Sequence, residues 1–452
     1  MAKFTVHDVV KATKGFCNNE VHIEFQDVST DTRTIEKGFL FVALRGDTFD
    51  GHDFISTAIE KGATGAIVEK GRSVEGIVCI EVDNTLKAYQ DLANFHRRRF
   101  SIPVVAITGS SGKTTTKEMV AAVLGTEFNV LKTEKNFNNE IGLPKTLLQL
   151  TEAHEACVVE MGMRGLGQIE ELALIAEPTI GMITNVGTSH IELLGSQEAV
   201  AEAKGELIRC LGDDSIAVLN EDDSFVSAMS EFAKGKTMTY GIHSNATIRG
   251  SHLGYKKDGI KFTCKAYDDV FDVFLPMIGE YNVYNALAAI AVGRALGVKV
   301  SKIKKGLGEF AGTPMRQEII SFPNIVILND AYNANPSSMS EAIKALGQLE
   351  GKRKIAMLGD MLELGSFTEE EHRKVGKLLG EEGYSVVFTF GDAAEYIAKE
   401  ANLAGLEVHR CNSHLEMANA YHDICEKGDV ILVKGSRGLR MERVVEELKE
   451  FQ

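Results

Sequence analysis

Residues 103–115 carry the residue types of a phosphate-binding loop. They read Pro-Val-Val-Ala-Ile-Thr-Gly-Ser-Ser-Gly-Lys-Thr-Thr, an apolar run that leads into two glycines and a lysine. The glycines permit tight backbone turns, and a helix that begins at Lys113 would direct free N–H groups and its dipole toward an anion. Lys113 would neutralise phosphate charge, and a threonine hydroxyl would bind Mg²⁺. The residues predicted to hold phosphates are Gly109, Ser110, Ser111, Gly112, Lys113, Thr114 and Thr115.

The glycine spacing is looser than in a strict P-loop, because Gly109 lies only three residues before Gly112. A strand-to-helix turn with no ligand would use the same glycines. The interpretation as a nucleotide site therefore depends on residues elsewhere in the chain.

Four polar residues stand at or beyond the ends of apolar runs that are typical of buried strands: Glu160, Asn185, His190 and Asp330. In parallel α/β sheets, ligands bind beyond the carboxyl ends of the strands, so these side chains could converge on one nucleotide. Each has a plainer alternative, since Glu160 could cap a helix and His190 could be a structural hydrogen-bonding residue. Lys204 lies in a helical pattern, and the pattern alone predicts a solvated surface lysine.

Two segments are rich in amides. Asn136-Phe-Asn-Asn-Glu-Ile-Gly-Leu-Pro144 clusters asparagines beside a glycine and a proline, which is also ordinary loop chemistry. Asn333-Ala-Asn-Pro336 could be a helix N-cap followed by proline in the first helical turn. Neither segment decides between a structural role and ligand binding.

The elements that position these residues predict an α/β protein of three domains. Apolar runs alternate with helical patterns between residues 85 and 312, which indicates a parallel sheet, and segment 246–275 alternates like an antiparallel addition. Four further strand-like runs follow Pro314 and predict a second doubly wound sheet. We expect a small N-terminal α/β domain (1–84), a central P-loop-type parallel-sheet domain (85–312) and a C-terminal Rossmann-like domain (313–452).

Composition excludes several classes of protein. The chain has 452 residues, 44% hydrophobic and 25% charged, and no apolar run approaches the length needed to span a bilayer. The seven cysteines are scattered, with no C-x-x-C pair, which argues against a zinc site. A net charge of −15 argues against a general nucleic-acid binder. We expect a cytoplasmic protein with no stable membrane association, and nothing demands more than a monomer.

Taken together, the ordered motifs resemble those of the Mur ligase family over essentially the whole chain. One departure is Thr32 in Ser-Thr-Asp-Thr-Arg33, where many members have serine, and a hydroxyl is kept. The motifs that carry the resemblance are Asp31-Thr-Arg33, Asp50-Gly-His52, residues 108–117, residues 136–144, Glu160-Met-Gly162, Asn185-Val-Gly-Thr-Ser-His190, Ala203-Lys-Gly205, Asn282-Val-Tyr-Asn285, Met315-Arg316, Asp330-Ala-Tyr-Asn-Ala-Asn-Pro336, Leu358-Gly-Asp-Met-Leu-Glu-Leu-Gly365 and Val433-Lys-Gly-Ser-Arg437.

The resemblance implies an ATP- and Mg²⁺-dependent ligase of peptidoglycan synthesis. The C-terminal motifs resemble the member that adds D-alanyl-D-alanine to UDP-N-acetylmuramoyl-tripeptide. In that reaction ATP phosphorylates the tripeptide carboxylate, and the dipeptide amine attacks the acyl phosphate. Activation is needed because a free carboxylate resists attack by an amine. Bringing the anionic ATP and the anionic carboxylate together also requires positive charge in the site.

The resemblance also implies residue roles. Catalytic roles fall to Lys113, Lys204, His190 and Arg316, and Mg²⁺ ligation to Thr114, Glu160, His190 and Lys204, with Lys204 commonly carbamoylated in the family. Beyond the phosphate loop, ATP contacts are expected from Asn282, Asn285, Arg316, Asp330 and Asn333. Contacts with the UDP-linked substrate are expected from Thr32, Arg33, Asn138 and Asn139. Asp360 and Glu363 are the expected neighbourhood of the dipeptide pocket.

Three alternative functions share some of these sequence features. Another amide ligase of the same fold, adding a single third residue or a glutamate to a folate, differs chiefly in the C-terminal motifs. A P-loop GTPase would need D-x-x-G and N-K-x-D, which the chain lacks. A non-catalytic nucleotide-binding relative would be favoured by loss of Lys113, Glu160, His190 or Lys204, and all four are present.

Overall fold

The computed structural model describes residues 2–18, 22–46, 48–188, 191–256 and 259–450. It contains three α/β units along the chain, each built on its own main sheet, which confirms the predicted fold class. Within the described residues, no helix has both the length and the apolar character needed to cross a membrane.

The N-terminal unit has a two-stranded sheet and a four-stranded parallel sheet whose strands follow chain order. Gly65 is required in the parallel sheet, because a Cβ there would lie 2.3 Å from the ring of Phe25. The elements are β1 (Phe4–Thr5), α1 (Val6–Thr13), β2 (Glu24–Phe25), β3 (Val28–Ser29), a 3₁₀ turn (Thr32–Thr34), β4 (Leu40–Val42), a 3₁₀ turn (Gly51–Phe54), α2 (Ile55–Glu60), β5 (Gly65–Glu69) and β6 (Val78–Val82).

The central unit follows α3 (Thr85–Arg97). Its first elements are β7 (Val104–Thr108), α4 (Lys113–Leu124), β8 (Val130–Lys132), α5 (Gly142–Leu147), β9 (Ala156–Glu160), α6 (Gln168–Ala176), β10 (Ile180–Ile183), α7 (Ile191–Leu194), α8 (Gln197–Arg209), β11 (Ile216–Asn220) and α9 (Ser224–Ala228). The later elements are a 3₁₀ turn (Met229–Phe232), β12 (Lys236–Gly241), β13 (Ile248–Lys256), β14 (Gly259–Ala266), β15 (Asp269–Leu275), α10 (Glu280–Ala295) and α11 (Val300–Gly308).

The nine strands of this unit have the order β15-β14-β13-β12-β11-β10-β7-β9-β8. Pairing is parallel from β8 through to β13, whereas β13, β14 and β15 are antiparallel, as the alternation in segment 246–275 predicts. Strand β7 is buried along its whole length and lies inside the parallel part of the sheet. The phosphate-loop sequence therefore leaves the middle of the sheet, where neighbouring strand ends lie close to it.

The C-terminal unit has a six-stranded sheet of order β16-β17-β21-β18-β19-β20, with only β16 antiparallel. A separate hydrophobic core covers each face of this sheet, as in a doubly wound fold. The elements are β16 (Glu318–Ser321), β17 (Ile325–Asp330), α12 (Pro336–Leu346), β18 (Arg353–Gly359), a 3₁₀ turn (Gly365–Phe367), α13 (Thr368–Glu381), β19 (Val386–Phe390), α14 (Ala394–Leu403), β20 (Glu407–Cys411), α15 (His414–Ile424), β21 (Asp429–Lys434), a 3₁₀ turn (Arg437–Leu439) and α16 (Glu442–Glu450).

Candidate functional site

The turn between β7 and α4 needs both of its glycines. Gly109 has φ +151°, and a Cβ there would lie 1.8 Å from the hydroxyl oxygen of Thr184. Gly112 has φ +77°, and its Cβ would lie 2.8 Å from Oδ1 of Asn285. The loop thus packs closely between the end of β10 and helix α10, and the two glycines leave its backbone accessible to a ligand.

Asn185 and Gly187, which follow β10, also hold the middle of the loop by hydrogen bonds. The backbone N–H of Ser110 donates to the carbonyl of Asn185 at 3.0 Å, and that of Ser111 donates to Asn185 Oδ1 at 2.9 Å. The Ser110 hydroxyl accepts from the Gly187 N–H at 2.8 Å. Asn185, which the sequence places only at a strand end, therefore sets the shape of the loop.

Lys113 begins α4 and curls back over the loop. Its Nζ donates to the Gly109 carbonyl at 2.6 Å. Burial lowers the pKa of Lys113, while the nearby Glu160 carboxylate acts in the opposite direction. The lysine is therefore held over the bare backbone of the turn, at the start of the helix dipole.

A hydroxyl and a carboxylate stand together beneath the loop. Thr114 Oγ1 donates to Glu160 Oε2 at 2.9 Å, and Asn138 Nδ2 donates to Glu160 Oε1 at 2.8 Å. Thr115 is buried in the same helical turn. Oxygen donors of this kind suit Mg²⁺. No group of three His, Cys, Asp or Glu side chains arranged for a metal occurs within the ranges that the structure describes, so the oxygen pair of Thr114 and Glu160 is what the site offers.

Lys204 is the clearest surprise of the site. The helical pattern predicts an exposed lysine, but the side chain on α8 is only 2% exposed. No hydrogen bond or ion pair joins its Nζ to another described residue. Burial, and then the positive charge of Lys113, lower the pKa of Lys204 well below its usual value. Burial and the charge of Lys113 therefore both disfavour the protonated form of this amine.

Asn282 and Asn285 lie one helical turn apart on α10, next to the loop. Asn285 Oδ1 accepts from Thr116 Oγ1 at 3.0 Å, and Asn285 Nδ2 donates to Asn282 Oδ1 at 3.0 Å. Both asparagines are buried. Their amides are held in one orientation by these neighbours, and both residues lie on the wall of the cavity.

The carboxyl ends of C-terminal strands reach the same cavity. Asp330 ends β17, and its Oδ2 accepts from Nζ of Lys434, the last residue of β21, at 2.5 Å. Lys434 also donates to the carbonyl of Asn333 at 3.0 Å. The guanidinium of Arg316 lies 4.0 Å from the centroid of the Tyr332 ring. Asn335 caps α12 ahead of Pro336, as its sequence predicts.

These residues line one cavity of about 950 Å³ between the central and C-terminal units. The predicted residues on its wall are the whole phosphate loop, Asn138, Asn139, Glu160, Lys204, Asn282, Asn285, Arg316, Asp330 and Asn333. His190 was predicted as well, but it lies outside the described residues. The long-range convergence of three strand ends and a helix supports a single site.

Thr32 and Arg33 are not on this wall. They form a 3₁₀ turn on the N-terminal unit, where Arg33 donates to both oxygens of Asp31 and is 86% exposed. The Arg33 side chain, and more weakly Lys145 of the central unit, lower the pKa of Asp31 to about 2. The turn is a separate surface feature that faces solvent. Asn139 lies nearer the cavity, and its Oδ1 accepts from the Gly142 N–H at 2.9 Å.

Several wall residues had no role predicted from the sequence, although Lys434 and Tyr332 lie within motifs of the family resemblance. Lys434 lies at the end of an apolar strand, so the rule that found Asp330 would have found it. Gln317 and Tyr332 flank predicted residues, but their types carry no signal. Glu341 on α12 gives no sequence signal at all, and burial raises its pKa to about 7.

Three family models match the chain in order: "Mur ligase family, catalytic domain" over residues 24–105, "Mur ligase middle domain" over 107–293 and "Mur ligase, glutamate ligase domain" over 315–437. The UDP-N-acetylmuramoyl-tripeptide–D-alanyl-D-alanine ligase of Bacillus subtilis (strain 168) is 39% identical over 459 residues, covering 100% of this chain and 99% of the relative. Its counterpart in Escherichia coli (strain K12) is 35% identical over 432 residues, covering 95% and 94%.

Solved structures agree with these relatives. A crystal structure of MurF from Acinetobacter baumannii has a TM-score of 0.92 at 31% identity and covers 99% of both chains. MurF ligase from Thermotoga maritima, in complex with ADP, has a TM-score of 0.86 at 30% identity, covering 94% of this chain and 97% of that one.

Proposed function

Because the chain belongs to the Mur ligase family, we propose that it joins D-alanyl-D-alanine to UDP-N-acetylmuramoyl-tripeptide and converts ATP to ADP and phosphate. The product is the UDP-pentapeptide precursor of peptidoglycan, so the enzyme serves cell-wall synthesis and, through it, cell shape and division. The names of the relatives specify this pair of substrates. The chemistry of the cavity in this chain is compatible with them.

The observation that carries the proposal is the arrangement of positive groups around the phosphate loop. Lys113 lies over the loop, and Arg316 enters from the C-terminal unit. A reaction that joins the γ-phosphate of ATP to a carboxylate brings two anions together. Positive charge placed before the reaction lowers that barrier, because it needs no reorganisation when the negative charges meet.

The proposed reaction has two steps. A carboxylate oxygen of the tripeptide attacks the γ-phosphorus and ADP leaves, with Lys113 and Arg316 holding the phosphate charge. The amine of the dipeptide then attacks the acyl carbon, an amide bond forms, and phosphate leaves as the amine loses a proton. A site between two units can exclude water when they close, which would protect the acyl phosphate from hydrolysis.

The residues present fit a magnesium ion. Thr114 and Glu160 supply a hydroxyl and a carboxylate at the loop, and these two are the proposed ligands of one Mg²⁺. A bound Mg²⁺ would neutralise part of the phosphate charge. Lys204 is proposed to take up carbon dioxide as a carbamate, which turns an amine into a carboxylate-like ligand. Its burial and the absence of a partner among the described residues support this role, because the neutral amine is the form that reacts. His190 is its proposed companion.

The remaining assignments are proposals of the same kind. Asn282, Asn285, Asp330 and Asn333 would contact ATP, and Asn138 and Asn139 would contact the tripeptide portion. Thr32 and Arg33 would bind the uridine diphosphate end on the N-terminal unit, away from the reacting carboxylate. The domain limits that we propose are 1–84, 85–312 and 313–452. We also propose that the enzyme works in the cytoplasm as a monomer.

The test is phosphate release from Mg²⁺-ATP with UDP-N-acetylmuramoyl-tripeptide and a panel of acceptors. D-alanyl-D-alanine should be required, and mass spectrometry should detect the UDP-pentapeptide. A single diamino acid in place of the dipeptide, or glutamate with a folate in place of both substrates, should release no phosphate. Turnover with either alternative would overturn the substrate assignment, and turnover in Lys113→Ala would overturn the role of the phosphate loop.

A further inference from the structure

A line of oriented side-chain hydrogen bonds crosses from the central unit to the C-terminal unit. Thr116 Oγ1 on α4 donates to Asn285 Oδ1, Asn285 Nδ2 donates to Asn282 Oδ1, and Asn282 Nδ2 donates to Gln317 Oε1, each at 3.0 Å. Every amide accepts at its oxygen and donates from its nitrogen, so each member orients the next. The line therefore ends at Nε2 of Gln317.

That last donor finds no acceptor in the described part of the chain. Gln317 is buried, and its Nε2 makes no hydrogen bond with any residue that the structure describes. Because Oε1 is already used by Asn282, the amide cannot turn over to satisfy the nitrogen without losing that bond. Buried polar groups are nearly always hydrogen-bonded, so an unpaired N–H on the wall of a ligand cavity points to an acceptor that the ligand supplies.

The backbone around this residue is held in an unfavourable conformation. Met315 has φ +58° and Gln317 has φ +54°, in the left-handed region that non-glycine residues avoid. The Gln317 N–H donates to Asp330 Oδ1 at 3.2 Å, which ties the segment to the end of β17. Strain of this kind persists where surrounding contacts impose it, and here it places Arg316 and Gln317 on the cavity wall.

Position along the line indicates which part of a nucleotide Gln317 would meet. Asn285 Oδ1 lies beside Gly112 of the phosphate loop. Gln317 lies two amides farther along, beyond the phosphate end, and its neutral N–H suits a neutral acceptor. We infer that Gln317 donates a hydrogen bond from Nε2 to the adenosine portion of ATP, at a ring nitrogen or a ribose oxygen. This inference rests on the proposed use of ATP.

The bond would have a second effect. Thr116 belongs to the helix that begins at the phosphate loop, and Gln317 opens the C-terminal unit. An adenosine held by Gln317 would complete a hydrogen-bonded line between the two units. Nucleotide binding would thereby favour the arrangement in which Arg316 reaches the phosphates.

The test compares Gln317→Glu and Gln317→Met by calorimetric titration with ADP at about pH 8, where a glutamate is normally ionised. Gln317→Glu keeps the acceptor for Asn282 and replaces only the terminal donor, whereas Gln317→Met removes both. Each should weaken ADP binding about tenfold and leave tripolyphosphate binding unchanged. Gln348→Glu is the matched control, because Gln348 also bridges the units but uses only its Oε1, which accepts from the Gly279 N–H at 2.8 Å.

Analogues of ADP identify the acceptor. The 1-deaza, 3-deaza, 7-deaza and 2′-deoxy forms each remove one candidate atom. One of them should bind the wild-type protein more weakly than ADP does and show no further loss in Gln317→Glu. The inference is overturned if both Gln317 variants bind ADP like wild type, if they weaken tripolyphosphate equally, or if every analogue responds equally to the substitution. Failure of the wild-type protein to bind ADP would instead overturn the proposed function.

Discussion

Replacing Lys204 by methionine should abolish turnover and yet stabilise the ligand-free protein. The side chain is 2% exposed and its Nζ has no partner among the described residues. Burial disfavours the charged form of this amine and lowers its pKa, and methionine fills a similar volume with no charge to desolvate. The melting temperature of the free protein should therefore rise by a few degrees, measured by calorimetry without Mg²⁺ in buffer depleted of carbon dioxide.

Lys117 is the matched control for this substitution. It is 1% exposed, but its Nζ donates to the Thr133 carbonyl at 2.6 Å and pairs with Glu118 at 2.9 Å. Lys117→Met removes satisfied contacts, so it should reduce the free energy of unfolding by about 1–3 kcal/mol and thereby lower the melting temperature. Two buried lysines of the same chain should thus respond with opposite sign, because only Lys117 has partners among the residues that the structure describes.

The activity measurement completes the comparison. If Lys204 acts as a carbamate, Lys204→Ala should recover part of its turnover when a small carboxylate such as acetate or formate is added. A fall in melting temperature with Lys204→Met, equal to that of Lys117→Met, would refute the reasoning about its missing partners. Full turnover without Lys204 would remove the residue from the mechanism.

Three further substitutions test other parts of the site. Gly109→Ala should abolish ADP binding, because its Cβ would lie 1.8 Å from Thr184 Oγ1 and 3.2 Å from the Thr184 backbone nitrogen. Gly112→Ala should weaken binding less, because its Cβ would lie 2.8 Å from Asn285 Oδ1 and its nearest atoms all belong to that side chain. Calorimetry that reverses this order would contradict the loop geometry. In the wild-type protein the free energy of unfolding should fall as the pH rises from 4.5 to about 7, because burial raises the pKa of Glu341 and the stabilising protonated form is lost across that interval. Glu341→Gln should remove this fall. The same pH dependence of the melting temperature in both proteins would refute the prediction. Arg33→Ala should raise the KM for the UDP-linked substrate while kcat stays near wild type, and an unchanged KM would exclude Arg33 from uridine binding.

The sequence determined the phosphate loop and most of the sheet strands, because these depend on local order. An apolar run followed by glycines and a lysine can form few structures, and strand ends in a parallel sheet meet at one edge whatever lies between them. Glu160, Asp330 and the amides of α10 were found in this way or through the family resemblance. Strands such as β16 and β20 were missed, because they lie at the edges of the sheet and only one residue of the two strands together is buried, so neither forms an apolar run.

Only the tertiary structure decided which polar groups have partners. Lys204 and Lys117 are both buried lysines on helices, yet within the described part of the chain only Lys117 has partners for its Nζ. Gln317 has no feature in the sequence that separates it from the other glutamines. Its unpaired nitrogen depends on Asn282, 35 positions away along the chain. Hydrogen bonding and burial are properties of neighbours in space, and residues distant in sequence supply them.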